Sequence, residues 1–185
     1  MDISPGNFLP VYMLFLAVGA LDRVRSTFFK KQTVPDQYIY HRWLFVLPFY
    51  TYLLIVFFSI AEFFLTVKSV NLLLSLFGIA CFTVGAFVRK KAISDLGKNW
   101  SVYTGIKEGH ELVTDGIYRY LKHPYYFAVM LELIGVCLVA NALYALILVF
   151  LIQGFLLAIR INMEERLLVN HFGNAYRVYR KDKLI

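Results

Sequence analysis

Residues 124–159 read PYYFAVMLELIGVCLVANALYALILVFLIQGFLLAI, with one carboxylate, Glu132, and no cation. A membrane span takes about 20 apolar residues, so the stretch is too long for one crossing and suits two. Asn141 separates an apolar run at 124–140 from another at 142–159, which predicts a tight helical hairpin that crosses a bilayer and returns. Both its ends then lie on one side. Upstream, further apolar runs at 6–21, 43–67 and 70–88 bring the expectation to an all-α integral membrane protein with about five transmembrane helices. The first run is short and contains Pro10, but it lacks the basic leader and small-residue cleavage site of a signal peptide and is read as a span.

Composition agrees. The 185 residues are 59% hydrophobic and 17% aromatic, only 17% are charged, and the mean hydropathy is +0.63. A soluble domain has about 45–50% apolar and about 25% charged residues, so a soluble globular protein is excluded and disorder is not expected. The net charge of +7 reflects orientation and lipid headgroups in such a chain, and no nucleic-acid partner is inferred from it. Cys81 and Cys137 both lie in apolar runs away from any His/Cys cluster. Neither a disulfide framework nor a metal site fits that spacing.

Short cytoplasmic loops are enriched in Lys and Arg. Segment 22–42 holds five (Arg23, Arg25, Lys30, Lys31, Arg42), and loop 89–123 holds seven (Arg89, Lys90, Lys91, Lys98, Lys107, Arg119, Lys122). The tail from 160 holds six (Arg160, Arg166, Arg177, Arg180, Lys181, Lys183), which leaves only Lys68 opposite. Five spans bring these segments to one face, so the N-terminus is expected outside and the loop and C-terminus cytoplasmic. The chain accordingly divides into N-terminal helices, 1–88, and a region 89–185 that holds both sizeable polar stretches and is expected to carry function.

Three pieces of that region bear chemistry. In His123-Pro124-Tyr125-Tyr126, proline suits the first turn of a helix and displaces His123 to the cap position. The N–H groups behind it form an anion-binding helix end, although Pro124 equally suits a plain membrane-helix start and the tyrosines an interfacial belt. Arg160 and Glu164 are four residues apart in Arg160-x-x-x-Glu164-Glu165, on one helical face, able to pair with each other or to grip a ligand with an amine and a carboxylate. Thirdly, loop 109–120 is punctuated by Gly109 and Gly116 and offers His110 and Tyr118 to line a pocket, or simply meets solvent. Gly173 marks a break in a helix from Phe155 to Phe172. Inside the spans, Glu62 and Glu132 would each cost about 2.5–3.5 kcal/mol if ionised at the bilayer centre and are expected to face protein, face a cavity or stay protonated.

The ordered set Gly116-x-Tyr118, Lys122-His123-Pro124-x-Tyr126, Arg160-x-x-x-Glu164-Glu165 and Phe172-Gly173-x-x-Tyr176 strongly resembles the isoprenylcysteine carboxyl methyltransferase family, a relative of the membrane phospholipid methyltransferases, over roughly residues 89–185. The resemblance implies an integral membrane enzyme that binds S-adenosylmethionine in a cytosolic pocket built by the last spans, the loop and the C-terminal helix, and takes a lipophilic, prenylcysteine-like acceptor from the bilayer. It assigns cofactor contacts to His110, Glu111, Leu112, Val113, Tyr118, His123, Pro124, Tyr125, Tyr126 and Glu164, and the acceptor to Arg160 as the catalytic residue. Lys122 stands where the family usually has Arg and Ala128 where Gly is common. A family glutamine has no counterpart, the nearest positions being Thr104 and Gly105.

Carboxyl O-methylation is the reading favoured by the resemblance; N- or O-methylation of a phospholipid or other lipid is the alternative. An ionised carboxylate acceptor needs no general base, whereas an amine or hydroxyl would call on His110, His123 or Glu111. Sterol reductases that use NADPH share the helix-loop-helix end but carry Asn where this chain has Tyr125. No strand precedes a Gly-x-Gly-x-x-Gly, so the soluble dinucleotide-type fold is excluded.

Overall fold

The computed structural model describes residues 2–28, 43–101, 105, 109–181 and 183. Lys30, Lys31, Arg42, Thr104 and Lys107, used in the sequence reading, lie outside the described residues. The chain is an integral membrane protein of helices: α1 (Pro5–Phe28), α2 (Trp43–Leu65), α3 (Leu72–Leu96), α4 (Pro124–Val139), α5 (Leu143–Leu148), α6 (Phe155–Phe172) and α7 (Asn174–Lys181). Two-residue strands, β1 (Asp2–Ile3) and β2 (Val70–Asn71), pair antiparallel beside the start of α3.

Among the described residues, four helices are long and apolar enough to cross a membrane: Pro5–Thr27, Val46–Leu65, Leu72–Asn99 and the rod Leu143–Phe172. The rod is α5 and α6 joined by a π-helical turn at Val149–Gly154. The fifth expected span, α4, has 16 residues and at 1.5 Å per residue reaches about 24 Å, short of a bilayer's apolar core of about 30 Å. Its end is fixed by Asn141, which adopts positive φ and lets Ala142 N–H donate to the Cys137 carbonyl at 2.9 Å. The Asn141 side chain then accepts from Asn71 N–H and donates to Ser75 Oγ, tying the hairpin turn to the start of α3.

The tightest packing is between α3 and α4. A Cβ on Gly135 would meet the Gly78 carbonyl oxygen at 2.7 Å, and one on Gly78 would meet the Val139 nitrogen at 2.6 Å. Only glycine permits this approach of backbone to backbone.

Both intramembrane glutamates face protein, within the range of expectations above. Glu62 of α2 accepts from the N–H groups of Tyr144 and Ala145, so it serves as a carboxylate cap supplied by another helix. Glu132, fully buried on α4, pairs with Arg89 of α3 at 2.6 Å and with Arg23 of α1. Arg89 continues to Asp22 at 2.9 Å and to Thr27 and Ser26 of α1. Charges this deep persist when each is paired and hydrogen-bonded.

Candidate functional site

The site lies where α3, the loop, α4, α6 and α7 converge. Beyond α3, a 3-10 turn at Gly97–Asn99 delivers Trp100, which buries its ring against Ile93 and Tyr125, 4.7 Å between the ring centroids of Trp100 and Tyr125. Asn99 donates to the Glu111 carbonyl at 3.2 Å and so holds the stretch His110–Val113 against the helix end. Gly116, at φ 60°, opens a second 3-10 turn that Asp95 fastens by accepting from Ile117 N–H at 2.8 Å. This turn buries Tyr118, whose hydroxyl faces the Ala92 carbonyl. Burial, with Glu164 nearby, pushes the Tyr118 phenol well above its ordinary range.

At the head of α4, His123 occupies the cap position and Pro124 the first turn, as expected. The His123 ring does not cap the helix. It shares a 2.9 Å hydrogen bond with Glu165 of α6. That carboxylate also accepts from Tyr176 at 2.8 Å and from Arg180 at 3.2 Å, which holds α7 onto α6 after the chain breaks at Gly173. Tyr179 extends the clasp by donating to the Tyr118 carbonyl at 2.6 Å. Burial raises its phenol to about 12, with Glu165 adding to the shift.

Arg160 and Glu164 meet through a third side chain. Arg160 Nε donates to the Tyr126 hydroxyl at 2.9 Å, and that hydroxyl donates to Glu164 at 2.5 Å. Tyr126 is therefore a relay between the two members of the i, i+4 pair, with the Arg160 guanidinium 5.4 Å from its ring centroid.

All eleven residues singled out in the sequence, His110, Glu111, Leu112, Val113, Tyr118, His123, Pro124, Tyr125, Tyr126, Arg160 and Glu164, line one cavity of about 980 Å³ including its open mouth. Trp100, Leu168 and Tyr179, which the sequence reading did not select, line it too, as do Phe172 and Tyr176, which it quoted in the motif set without a site role. Tyr176 and Tyr179, three apart on α7, are the signal of an aromatic face. The donor set suits a zwitterionic, aromatic ligand, since it combines a carboxylate at Glu164, a cation at Lys122 and flat faces at Trp100 and Tyr125. Among the described residues, no group of three or more His, Cys, Asp or Glu side chains is arranged to hold a metal.

A second cavity of about 480 Å³ sits between α1, α2, α4 and the α5–α6 rod, and the two cavities have only Tyr125, Tyr126 and Arg160 in common. Its other walls include Arg23, Tyr52, Gln153 and Leu157. Gln153 lies in the π-helical turn and bonds to Thr51 and the Pro48 carbonyl of α2, which braces the rod against α2.

Similarity to known proteins follows the same outline. The fold matches a solved structure described as the eukaryotic intramembrane Ras methyltransferase ICMT, with a TM-score of 0.64 and 23% identity over 96% of this chain and 63% of that one. The Schizosaccharomyces pombe protein-S-isoprenylcysteine O-methyltransferase is 33% identical over 109 residues, 58% of this chain and 45% of the relative. Protein-S-isoprenylcysteine O-methyltransferase B of Arabidopsis thaliana is 31% identical over 109 residues, 57% and 55% of the two lengths. The chain thus spans about half the length of the curated relatives it matches. The model of the isoprenylcysteine carboxyl methyltransferase (ICMT) family matches residues 76–170. That range takes in most of α3, the loop, the α4 hairpin and the Arg160–Glu164 pair, and on that match the chain belongs to the isoprenylcysteine carboxyl methyltransferase family.

Proposed function

We propose that the chain is a membrane methyltransferase that binds S-adenosylmethionine in the larger cavity and methylates the carboxylate of a prenylcysteine-like acceptor reaching it through the second. The observation that carries this reading is the junction: the cavity beneath the loop, whose walls include Glu111, Lys122 and Glu164, and the smaller one among α1, α2, α4 and the rod share only Tyr125, Tyr126 and Arg160. Two ligands, one held beneath the loop and one among the membrane helices, would meet there.

Bound S-adenosylmethionine would supply an electrophilic methyl group on a sulfonium sulfur. The N-terminus of α4 and Lys122 suit its carboxylate, and Glu164 its amine or ribose. Trp100, Tyr125 and Tyr126 offer faces for the adenine and the sulfonium. His110, Glu111, Leu112, Val113 and Tyr118 form the loop wall, and His123 with Pro124 the rim. An acceptor carboxylate oxygen held by Arg160 would take that methyl carbon, the electron pair of the broken carbon–sulfur bond staying on sulfur. The chain's part is alignment, with Arg160 holding the acceptor carboxylate and Tyr126 fixing Arg160 relative to Glu164. No proton needs to move, so no base is required.

The basic residues support an orientation with the N-terminus outside and the larger cavity open to the cytoplasm. Region 89–185 is then the donor-binding half and 1–88 contributes to the acceptor side.

The decisive experiment is transfer of labelled methyl from S-adenosylmethionine by the purified protein, with a prenylcysteine supplied beside a lipid extract and the products treated with alkali. Alkali-labile label on the prenylcysteine is expected. Stable label in lipid would move the assignment to N- or O-methylation of a lipid. No label and no cofactor binding would end the methyltransferase reading.

A further inference from the structure

Two arginines meet the same carboxylate at the junction of α1, α3 and α4, and they are bonded differently. Arg89 is fully buried and directs its whole guanidinium at protein: Nε to Glu132, Nη1 to Ser26 and Thr27, and Nη2 to Asp22. Arg23 donates through Nη1 to Glu132, and its Nε and Nη2 take no acceptor among the described residues. Its guanidinium rests 3.9 Å from the Tyr52 ring centroid, and its side chain keeps 18% of its exposure. It lines the second cavity; Arg89 does not.

The walls of that cavity carry two cations, Arg23 and Arg160, and no carboxylate. Glu132, paired with both Arg23 and Arg89, and Glu164, bonded to Tyr126, offset these charges from behind the walls and do not line it. An otherwise largely apolar cavity among membrane helices with two cations facing inward favours a ligand with an apolar body and an anionic end, and disfavours an amine. We propose that Arg23 is a second specificity-determining contact, which together with Arg160 makes this cavity select an acceptor ending in a carboxylate over one ending in an amide, alcohol or amine. The identity of the acceptor rests on the methyltransferase reading; the charge selection does not.

The test uses the full chain in lipid nanodiscs. A fluorescent long-chain carboxylate and its primary amide are titrated without methyl donor, and methyl transfer to a prenylcysteine is then followed with donor present. Arg23→Gln leaves Glu132 paired with Arg89 and should weaken carboxylate binding about tenfold, the loss expected for one charge-assisted hydrogen bond. Amide binding should be unchanged, and KM for the prenylcysteine should rise by more than kcat falls. Arg23→Lys keeps the charge on a different reach and should retain part of the preference. Equal weakening of both probes, unchanged carboxylate affinity in Arg23→Gln, or a folded Arg23→Lys that binds both probes alike would overturn the proposal. Carboxylate preference that is lost in Arg23→Gln, in a protein that transfers no methyl group, would leave it standing and remove the methyltransferase reading instead.

Discussion

The His123 ring lies 2.9 Å from the Glu165 carboxylate, so the residue that begins α4 is fastened to the helix that leaves the membrane. Because Glu165 also holds Tyr176 and Arg180, Glu165→Gln should loosen α7 and weaken S-adenosylmethionine binding about tenfold, the cost of one charged hydrogen bond. Titration calorimetry checks this. His123→Ala should cause a smaller loss and the double variant less than the sum of the two, since the His123–Glu165 contact is removed by both. Fully additive losses would mean the two residues act separately.

Tyr126→Phe keeps the ring but removes the hydroxyl between Arg160 and Glu164. We expect kcat/KM to fall by about 10–100-fold, as for a lost buried hydrogen bond to charged groups, with helical circular dichroism unchanged. Full activity would show that the relay is dispensable.

Glu132→Leu removes the only carboxylate bonded to both Arg89 and Arg23 among the described residues. Stranding buried cations costs about 3–5 kcal/mol, so the detergent-solubilised variant should unfold at a clearly lower temperature than Tyr126→Phe. A Tm equal to wild type would refute the structural role.

Gly135→Val places branched carbon against the Gly78 carbonyl and the backbone of Phe82. Backbone cannot swing aside, so the α3–α4 seam should open and the protein should aggregate on extraction. Recovery of a monodisperse, folded variant would contradict the close approach.

Tyr179 ionises near 12 in the folded chain against about 10 when unfolded. A raised phenol contributes stability that is complete below the unfolded value and is lost as pH rises toward the folded one. The clasp of α7 should therefore hold through neutral pH and release between about 10 and 12. Phenolate absorbance of wild type against Tyr179→Phe checks it, and ionisation of Tyr179 near 10 would mean that α7 is not docked.

Much of this was written locally. The hairpin followed from one apolar run with Asn141 in its middle and the α6 break from Gly173, and the residues that the family resemblance implied proved to line one cavity. What stayed out of reach depends on partners distant in sequence. Nothing near Glu132 announces Arg23, 109 positions away, and no pattern marks the π-helical turn at Val149–Gly154 that aims Gln153 at α2. The direct Arg160–Glu164 pairing suggested by their spacing is mediated by Tyr126, because the hydroxyl projects from α4 between them. Tyr176 was visible in the motif, yet its place on the cavity wall required α7 to fold back.

The glycine seam between α3 and α4 also bears on how such a chain diversifies. It holds α3 and α4 backbone to backbone, where an added carbon finds no room, and the family match begins at Leu76, within that seam. Helices α1 and α2 lie outside it and wall the second cavity. Five of that cavity's wall residues lie on α1 and α2 and six within 76–170, so substitutions in the first two helices can alter one side of the cavity while the side built on the matched region stays in place.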